Sequence, residues 1–103
     1  MARSILHMTT PSEVAQTLGE RVKALRLLKG WKRQTLADRA GVSAASLARF
    51  EVTGKASLEL VLKTAHALGQ LHDFGKLFEP PPARSIAELE QRTAPSTRKR
   101  GRI

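Results

Sequence analysis

The side chains of this 103-residue chain that could take part in chemistry are mostly cations, and most of these cations lie in two groups. The chain has 18 lysines and arginines against 9 acidic residues, which gives a net charge of +9. One group lies in the N-terminal half and comprises Arg21, Lys23, Arg26, Lys29, Lys32 and Arg33. The other follows Gln91, in a stretch without acids, and comprises Arg92, Arg98, Lys99, Arg100 and Arg102. Excess charge alone indicates only affinity for polyanions, but this distribution favours a polyphosphate partner.

Catalytic and metal-binding chemistry has little support in the sequence. The histidines are isolated residues at positions His7, His66 and His72. The last two lie on either side of a predicted helix break, unlike the i, i+4 pair of a helical metal site. The chain also has no glycine-rich phosphate loop, nucleophile elbow or paired-carboxylate motif. We therefore expect no enzyme activity, no metal site and no cofactor.

The composition also bears on where the protein is found. The chain contains no cysteine, so it has no disulfide framework and no thiolate metal site, which fits a reducing cytoplasm. No apolar run approaches the ~20 residues that a membrane-spanning helix needs. We expect a cytoplasmic protein, associated with the bacterial nucleoid if its polyphosphate partner is DNA.

The residues from 33 to 51 have the pattern of two short helices joined by a tight turn. The first helix has an apolar face at helical spacing, formed by Leu36, Ala37 and Ala40. Gly41 is the residue type best able to take the positive φ angle that ends this helix. Val42 can pack inward from the turn, and Ser43 is a good N-cap for the second helix.

The second helix of this pair has one inner and one outer face. Leu47 and Phe50 form the predicted buried face. The outer face begins with small residues and carries a cation one turn later, and its members are Ala44, Ala45, Ser46 and Arg49. The major groove of DNA is wide enough to admit such a helix, and the base edges lie at its floor. The pattern is that of a helix-turn-helix.

A first helix is predicted upstream of this motif. Thr10-Pro11 followed by Glu13 is typical of a helix start, and Gly30 should end the helix near Lys29. Its buried stripe is predicted to consist of Val14, Leu18, Val22 and Leu25. Trp31 either packs under the next helix or presents a surface aromatic to a partner, and core packing is the favoured interpretation.

Downstream, residues 52–56 are predicted to be a loop, and Ser57 should cap a fourth helix over 58–68. The predicted inner face of this helix comprises Leu58, Val61, Ala65 and Leu68. A short fifth segment over 71–78 is apolar enough to close the core, to form a dimer interface, or both. Pro80-Pro81-Pro82 should stop all helix, and residues 85–90 have the spacing of a capping box.

These elements predict an all-α fold with one small domain and two tails. The predicted divisions are an N-terminal arm over 1–9, a helix-turn-helix domain over 10–79, and a Pro-rich exit with a basic tail over 80–103. Residues 92–103 are expected to be disordered when unbound.

The chain resembles the Cro/C1-type (Xre-like) helix-turn-helix regulators over roughly residues 18 to 69. The residues that carry the resemblance are Arg26, Gly30-Trp31, Leu36-Ala37, Ala40-Gly41-Val42-Ser43 and Glu51. Within that family the chain looks most like the HipB-like antitoxins of Hip-type toxin–antitoxin systems, through Gly30-Trp31 and Phe50-Glu51. The resemblance implies a compact five-helix, lambda-repressor-like domain that forms a homodimer on a pseudo-palindromic DNA operator.

The resemblance also implies roles for individual residues. It pairs Arg26 with Glu51 as a structural salt bridge. It places the DNA contacts on Lys32, Arg33, Gln34, Ser43, Ala44, Ala45, Ser46, Arg49 and Lys55. Arg33 departs from the family's usual Gln, which strengthens phosphate attraction and loses the two-way hydrogen bonding of an amide. Arg49 is expected to contact a guanine edge, and the alternatives are a phosphate contact or a solvated cation.

Three functions remain open on this basis. The favoured one is an autoregulating repressor that is the antitoxin of a Hip-type operon and binds a HipA-like serine/threonine kinase toxin. The alternative is a stand-alone transcriptional regulator without a toxin partner. A non-specific architectural protein that uses the basic tail is the third, and the predicted recognition helix argues against it.

Overall fold

The computed structural model describes residues 10–93, so the predicted arm and most of the predicted basic tail lie outside the described residues. Over that range the chain is helical and contains no strand. The elements in order are α1 (Pro11–Leu28), α2 (Arg33–Ala40), α3 (Ala44–Thr53), α4 (Leu58–Ala67), a 3-10 helix (Leu71–Phe74) and α5 (Ile86–Thr93). The all-α prediction is confirmed.

A side-chain cap starts three of the helices that build the domain, α1, α3 and α4. The Thr10 hydroxyl accepts a hydrogen bond from the Glu13 amide at 3.2 Å, with Pro11 at the first helical position. Ser57 caps α4 in the same way and accepts from the Leu60 amide at 3.1 Å. Between α2 and α3, Gly41 has φ of 72°, the left-handed conformation that the sequence predicts for it.

The core lies where α2, α3 and α4 meet. Helix α1 packs against α3, and α2 packs against both α3 and α4. The buried cluster at the centre comprises Leu36, Ala37, Leu47 and Leu68. Phe50 is also buried, on the α3 face opposite the solvent. This arrangement holds α3 by its inner side and leaves its outer side open.

The buried residues of α1 differ from the predicted stripe. Val14, Leu18, Val22 and Leu25 are only partly buried, whereas Thr17, Gly19 and Arg26 are buried. Near Gly19, α1 approaches α3 so closely that a β-carbon would collide with the backbone of Phe50, and further along α1 Arg26 is buried by its ion pair with Glu51. Val22 and Leu25 pack at the edge of the central cluster instead.

The inner face of α4 is also rotated from its predicted position. Leu58 is 69% exposed, so its assignment to the core was wrong. The buried residues are Leu60 and Thr64 together with Ala65 and Leu68, which the sequence did predict. Leu60, Thr64 and Leu68 recur every four residues and so define the buried side of the helix.

The predicted fifth segment is shorter than the sequence pattern indicates. Only Leu71–Phe74 is helical, as a 3-10 turn that contacts α4. Phe74 is partly buried, whereas Leu77 and Phe78 are exposed. The closing of the core by this segment is therefore limited to its first turn.

The last helix, α5, starts at the capping box that the sequence predicts. The Ser85 hydroxyl accepts from the Glu88 amide at 3.1 Å. Arg92 contacts the carboxylate of Glu88 at 2.7 Å and the carbonyl oxygen of Pro81. The helix continues to Thr93, so Arg92 and Thr93 are helical and not part of a disordered tail.

Two further properties concern residues 10–93 only. No helix in this range combines the length and the apolar character needed to cross a membrane. No group of three or more acidic, histidine or cysteine side chains is placed to hold a metal ion. His66 and His72 are both exposed, and His72 lies 3.3 Å from the carboxylate of Asp73.

Candidate nucleic-acid interface

The outer face of α3 is an exposed strip along one side of the helix. It comprises Ala45, Ser46, Arg49, Val52 and Thr53. Their spacing of three and four residues places them on one side of the helix, opposite buried Leu47 and Phe50. Arg49 forms no ion pair within residues 10–93, so its guanidinium is available to a ligand.

The start of α3 is held by a pair of serines. The Ser43 hydroxyl accepts from the Ser46 amide at 3.1 Å and donates to the Ser46 hydroxyl oxygen at 2.8 Å. Ser43 is thereby committed to capping the helix. A hydroxyl has one donor and two acceptor positions, so Ser46 keeps its own proton to donate outward. Of the two serines, Ser46 is the one with hydrogen-bonding capacity to spare.

The two alanines at this end of α3 lie in different surroundings. Ala44 is partly buried and packs against the central cluster, whereas Ala45 is exposed. The sequence-based placement of both alanines on the outer face is therefore wrong for Ala44. Successive residues of an α-helix lie about 100° apart around its axis, so periodicity alone did not show that Ala44 lies at the edge of the buried face.

The far end of the outer face extends beyond its predicted limit. Val52 and Thr53 were assigned to a loop, but α3 continues to Thr53 and ends at Gly54, which has φ of 79°. Val52 is 64% exposed. The Thr53 hydroxyl donates to the Arg49 carbonyl oxygen at 2.6 Å and accepts from the amide of Lys55 at 3.1 Å. The glycine at position 54 was the sequence signal for this later helix end.

A buried ion pair holds α3 against α1. Arg26 donates through Nε to Glu51 Oε2 at 2.8 Å and through Nη2 to Glu51 Oε1 at 2.9 Å. A third nitrogen, Nη1, donates to the carbonyl oxygen of Trp31 at 3.0 Å. The Glu51 side chain is 0% exposed. Arg26 therefore joins α1, the segment before α2 and the inner side of α3, and its pairing with Glu51 is the one that the family resemblance implies.

Arg33 shares the same carboxylate. Its Nε lies 3.3 Å from Glu51 Oε1, and its side chain is 36% exposed. The family resemblance implies only a DNA contact for Arg33, whereas in the structure Arg33 also joins the first residue of α2 to α3. This contact depends on how the two helices meet, and no local signal in the sequence revealed it.

The first turn of α2 lies beside the two arginines that share the Glu51 carboxylate. Lys32 occupies the N-cap position, and its side chain forms no capping hydrogen bond. Amides in the first turn of a helix lack intrahelical acceptors and favour anions. Gln34 is exposed, and its Nε2 donates to Asp38 Oδ1 at 2.7 Å, which leaves its amide oxygen as an acceptor.

Trp31 is fixed by its surroundings rather than free at the surface. Its ring is partly buried against the central cluster. The Lys29 Nζ lies 5.2 Å and the Arg39 Cζ 4.5 Å from the ring centroid, both within cation–π range. This outcome agrees with the favoured core-packing interpretation, and it adds Arg39 to the cations that surround the motif.

A family model described as helix-turn-helix matches residues 22–73 of the chain. That range contains α2, α3 and α4 and the end of α1. The chain belongs to the Cro/C1-type helix-turn-helix family, whose members are DNA-binding transcriptional regulators. No curated protein sequence matches it, and no solved structure does.

Proposed function

We propose that the protein is a transcriptional repressor that binds a specific operator as a homodimer and represses its own gene. The observation that carries this proposal is the outer face of α3, where Ala45, Ser46 and Arg49 are exposed on a helix anchored from behind. The anchoring by Phe50 and by the Arg26–Glu51 pair fixes the direction in which these side chains point. A rigid support of this kind is what precise base contacts need.

The chemistry of this face fits the floor of the major groove. Ala45 presents a methyl group, which suits apolar contact with a thymine methyl. Ser46 donates one hydrogen bond to a base acceptor. Arg49 either reads a guanine through a bidentate contact, which contributes ~1–3 kcal/mol of discrimination, or contacts a phosphate. Val52 extends the apolar part of the face by two turns.

The residues beside this face supply phosphate contacts. Lys32 and Gln34 are exposed at the first turn of α2, and Lys55 is exposed just after α3. Contacts of this type fix the register of the protein on the duplex and carry no sequence information. The excess positive charge of the chain raises affinity for any duplex and makes binding sensitive to salt.

A homodimer follows from the small size of one reading face. One recognition helix contacts few base pairs, so two copies on a two-fold axis would read a pseudo-palindrome with half-sites ~34 Å apart. Repression then requires only that the dimer cover the promoter.

The finer proposal is that the protein is the antitoxin of a Hip-type operon and also binds a HipA-like kinase. Its support is the resemblance at Gly30-Trp31 and Phe50-Glu51, together with apolar side chains exposed after α4 at Leu77 and Phe78. Co-expression with the product of the adjacent gene tests it. A stable complex with a kinase-like protein supports the antitoxin role, and separate elution of the two proteins supports the stand-alone regulator.

Footprinting at physiological salt tests the repressor proposal. The probe is the DNA immediately upstream of the protein's own coding region, and a random duplex of equal length is the control. We expect a protected region with two symmetric halves about one DNA turn apart. Equal protection of the random duplex would contradict the proposal and leave a non-specific binder.

A further inference from the structure

Three nitrogens from two arginines converge on the carboxylate of Glu51. Arg26 uses two nitrogens on it, at 2.8 and 2.9 Å, and Arg33 uses Nε alone, at 3.3 Å. The three side chains together carry one net positive charge. Since Arg26 is buried and Arg33 is 36% exposed, the excess charge faces solvent through Arg33.

We propose that Glu51 positions Arg33 as a preorganised phosphate contact. One buried carboxylate then fixes both the position of α3 against α1 and the position of the first turn of α2 against a DNA phosphate. This inference rests on the proposed DNA-binding function. Arg33 is a positioning residue for α3 through its Nε and a phosphate ligand through its Nη1 and Nη2 nitrogens. No separate acid is needed to hold it, because Glu51 already does so.

The geometry restricts how Arg33 can bind a phosphate. A guanidinium offers phosphate either its Nε–Nη edge or its Nη1–Nη2 end, and both are bidentate arrangements. Glu51 occupies Nε, so the free pair is the Nη1–Nη2 end. Holding the side chain in advance lowers the entropy lost on binding. The first turn of α2, which has no side-chain cap, lies at the same place and favours the same anion.

A lysine cannot replace Arg33 in this role. The ammonium keeps the charge, but it cannot hold Glu51 through one nitrogen while offering a fixed pair of donors to phosphate. A glutamine removes the charge altogether. The pair of substitutions Arg33→Lys and Arg33→Gln therefore separates charge from geometry. Lys32→Gln is the matched control, because it removes a neighbouring exposed cation that has no contact with Glu51.

The test measures binding of a random duplex at several salt concentrations, by fluorescence anisotropy, together with thermal unfolding. Random duplex is used because phosphate contact does not require an operator, so failure here is distinguishable from failure of the repressor proposal. We expect Arg33→Gln to reduce the slope of log K against log salt by about one unit. Arg33→Lys should keep that slope but bind the duplex about tenfold more weakly, because it loses one bidentate pair of charge-assisted hydrogen bonds to phosphate. Lys32→Gln should lower the slope without lowering the unfolding temperature.

Two outcomes would overturn the inference. Wild-type affinity in Arg33→Lys would show that only charge matters. An unchanged salt slope in Arg33→Gln, with a lowered unfolding temperature, would show that Arg33 serves the fold alone. An NMR measurement of the free wild-type protein adds an independent readout, since the Nε–H of Arg33 should exchange with water more slowly than the Nε–H of exposed Arg49, which forms no ion pair within residues 10–93.

Discussion

Gly19 of α1 lies directly against the backbone of Phe50 in α3. A β-carbon built at position 19 would be 2.2 Å from the Phe50 carbonyl oxygen and 3.3 Å from that of Glu51. Helix α3 is therefore seated on α1 at a point where no side chain fits. This close contact places the buried face of α3 next to the Arg26–Glu51 pair and so determines how its outer face is presented.

Gly19→Ala should destabilise the protein by about 1–3 kcal/mol, the usual effect of overpacking a core. The direction of this change in stability is informative, because Ala in place of Gly within a helix normally stabilises a protein by roughly 0.5–1 kcal/mol. Urea unfolding followed by circular dichroism measures the difference. Lys23→Ala, at an exposed position on the same helix, is the control and should change stability little. A more stable Gly19→Ala variant would show that α1 and α3 are further apart than described.

Two glycines that end helices differ in what surrounds them. Gly41 and Gly54 have φ of 72° and 79°, so alanine at either position pays a backbone cost of ~1–2 kcal/mol. At position 41 the added β-carbon meets open space, whereas at position 54 it would lie 2.5 Å from the backbone of Ala15 and Gln16. Gly54→Ala should therefore lower the unfolding temperature clearly more than Gly41→Ala. Equal effects would mean that α1 does not pass close to the end of α3.

Thr64 is the one described residue whose buried side-chain oxygen lacks a hydrogen-bond partner. Its side chain is fully buried in α4, so Thr64→Val keeps the shape and removes an unsatisfied polar group. We expect about 1 kcal/mol of added stability, the lower end of the desolvation penalty for such a group. Thr53→Val is the matched control and should not stabilise, because the Thr53 hydroxyl bonds to the Arg49 carbonyl and the Lys55 amide. Destabilisation by Thr64→Val would indicate that the hydroxyl has a partner in solution.

Glu51→Gln leaves Arg26 buried without a countercharge. Removing one partner of a buried ion pair costs ~3–5 kcal/mol, so this variant should be strongly destabilised. Glu59→Gln is the matched control, since Glu59 pairs with Lys63 on the exposed side of α4, and its unfolding temperature should stay near that of the wild type. Comparable unfolding temperatures for the two variants would contradict the structural role of Glu51.

Local chemistry explains why much of the fold was readable from the sequence. Thr10, Ser43 and Ser57 cap their helices, and Gly41 leaves α2 at positive φ, because these effects depend on neighbouring residues alone. The Arg26–Glu51 pair was expected only through family resemblance.

Features that depend on how the helices pack against one another could not be predicted from the sequence. The buried side of α1 is set by its close approach to α3 at Gly19, and the rotation of α4 exposes Leu58. The contact of Arg33 with Glu51 joins residues 18 apart in the chain and depends on the angle between α2 and α3. Apolar periodicity predicts which side of a helix is buried, but not where two backbones touch.

If the outer face of α3 reads base pairs, Arg49→Ala should weaken the preference for the operator, because it removes the one cation of that face. The measurement is the ratio of affinities for the upstream operator and for a random duplex at one physiological salt concentration. Arg84→Ala is the control, because it removes the same charge from an exposed position outside the family match. We predict that Arg49→Ala lowers the ratio by about tenfold, equivalent to ~1.4 kcal/mol of discrimination, and that Arg84→Ala leaves it unchanged. An unchanged ratio in Arg49→Ala would contradict base reading by this residue and assign it to phosphate contact.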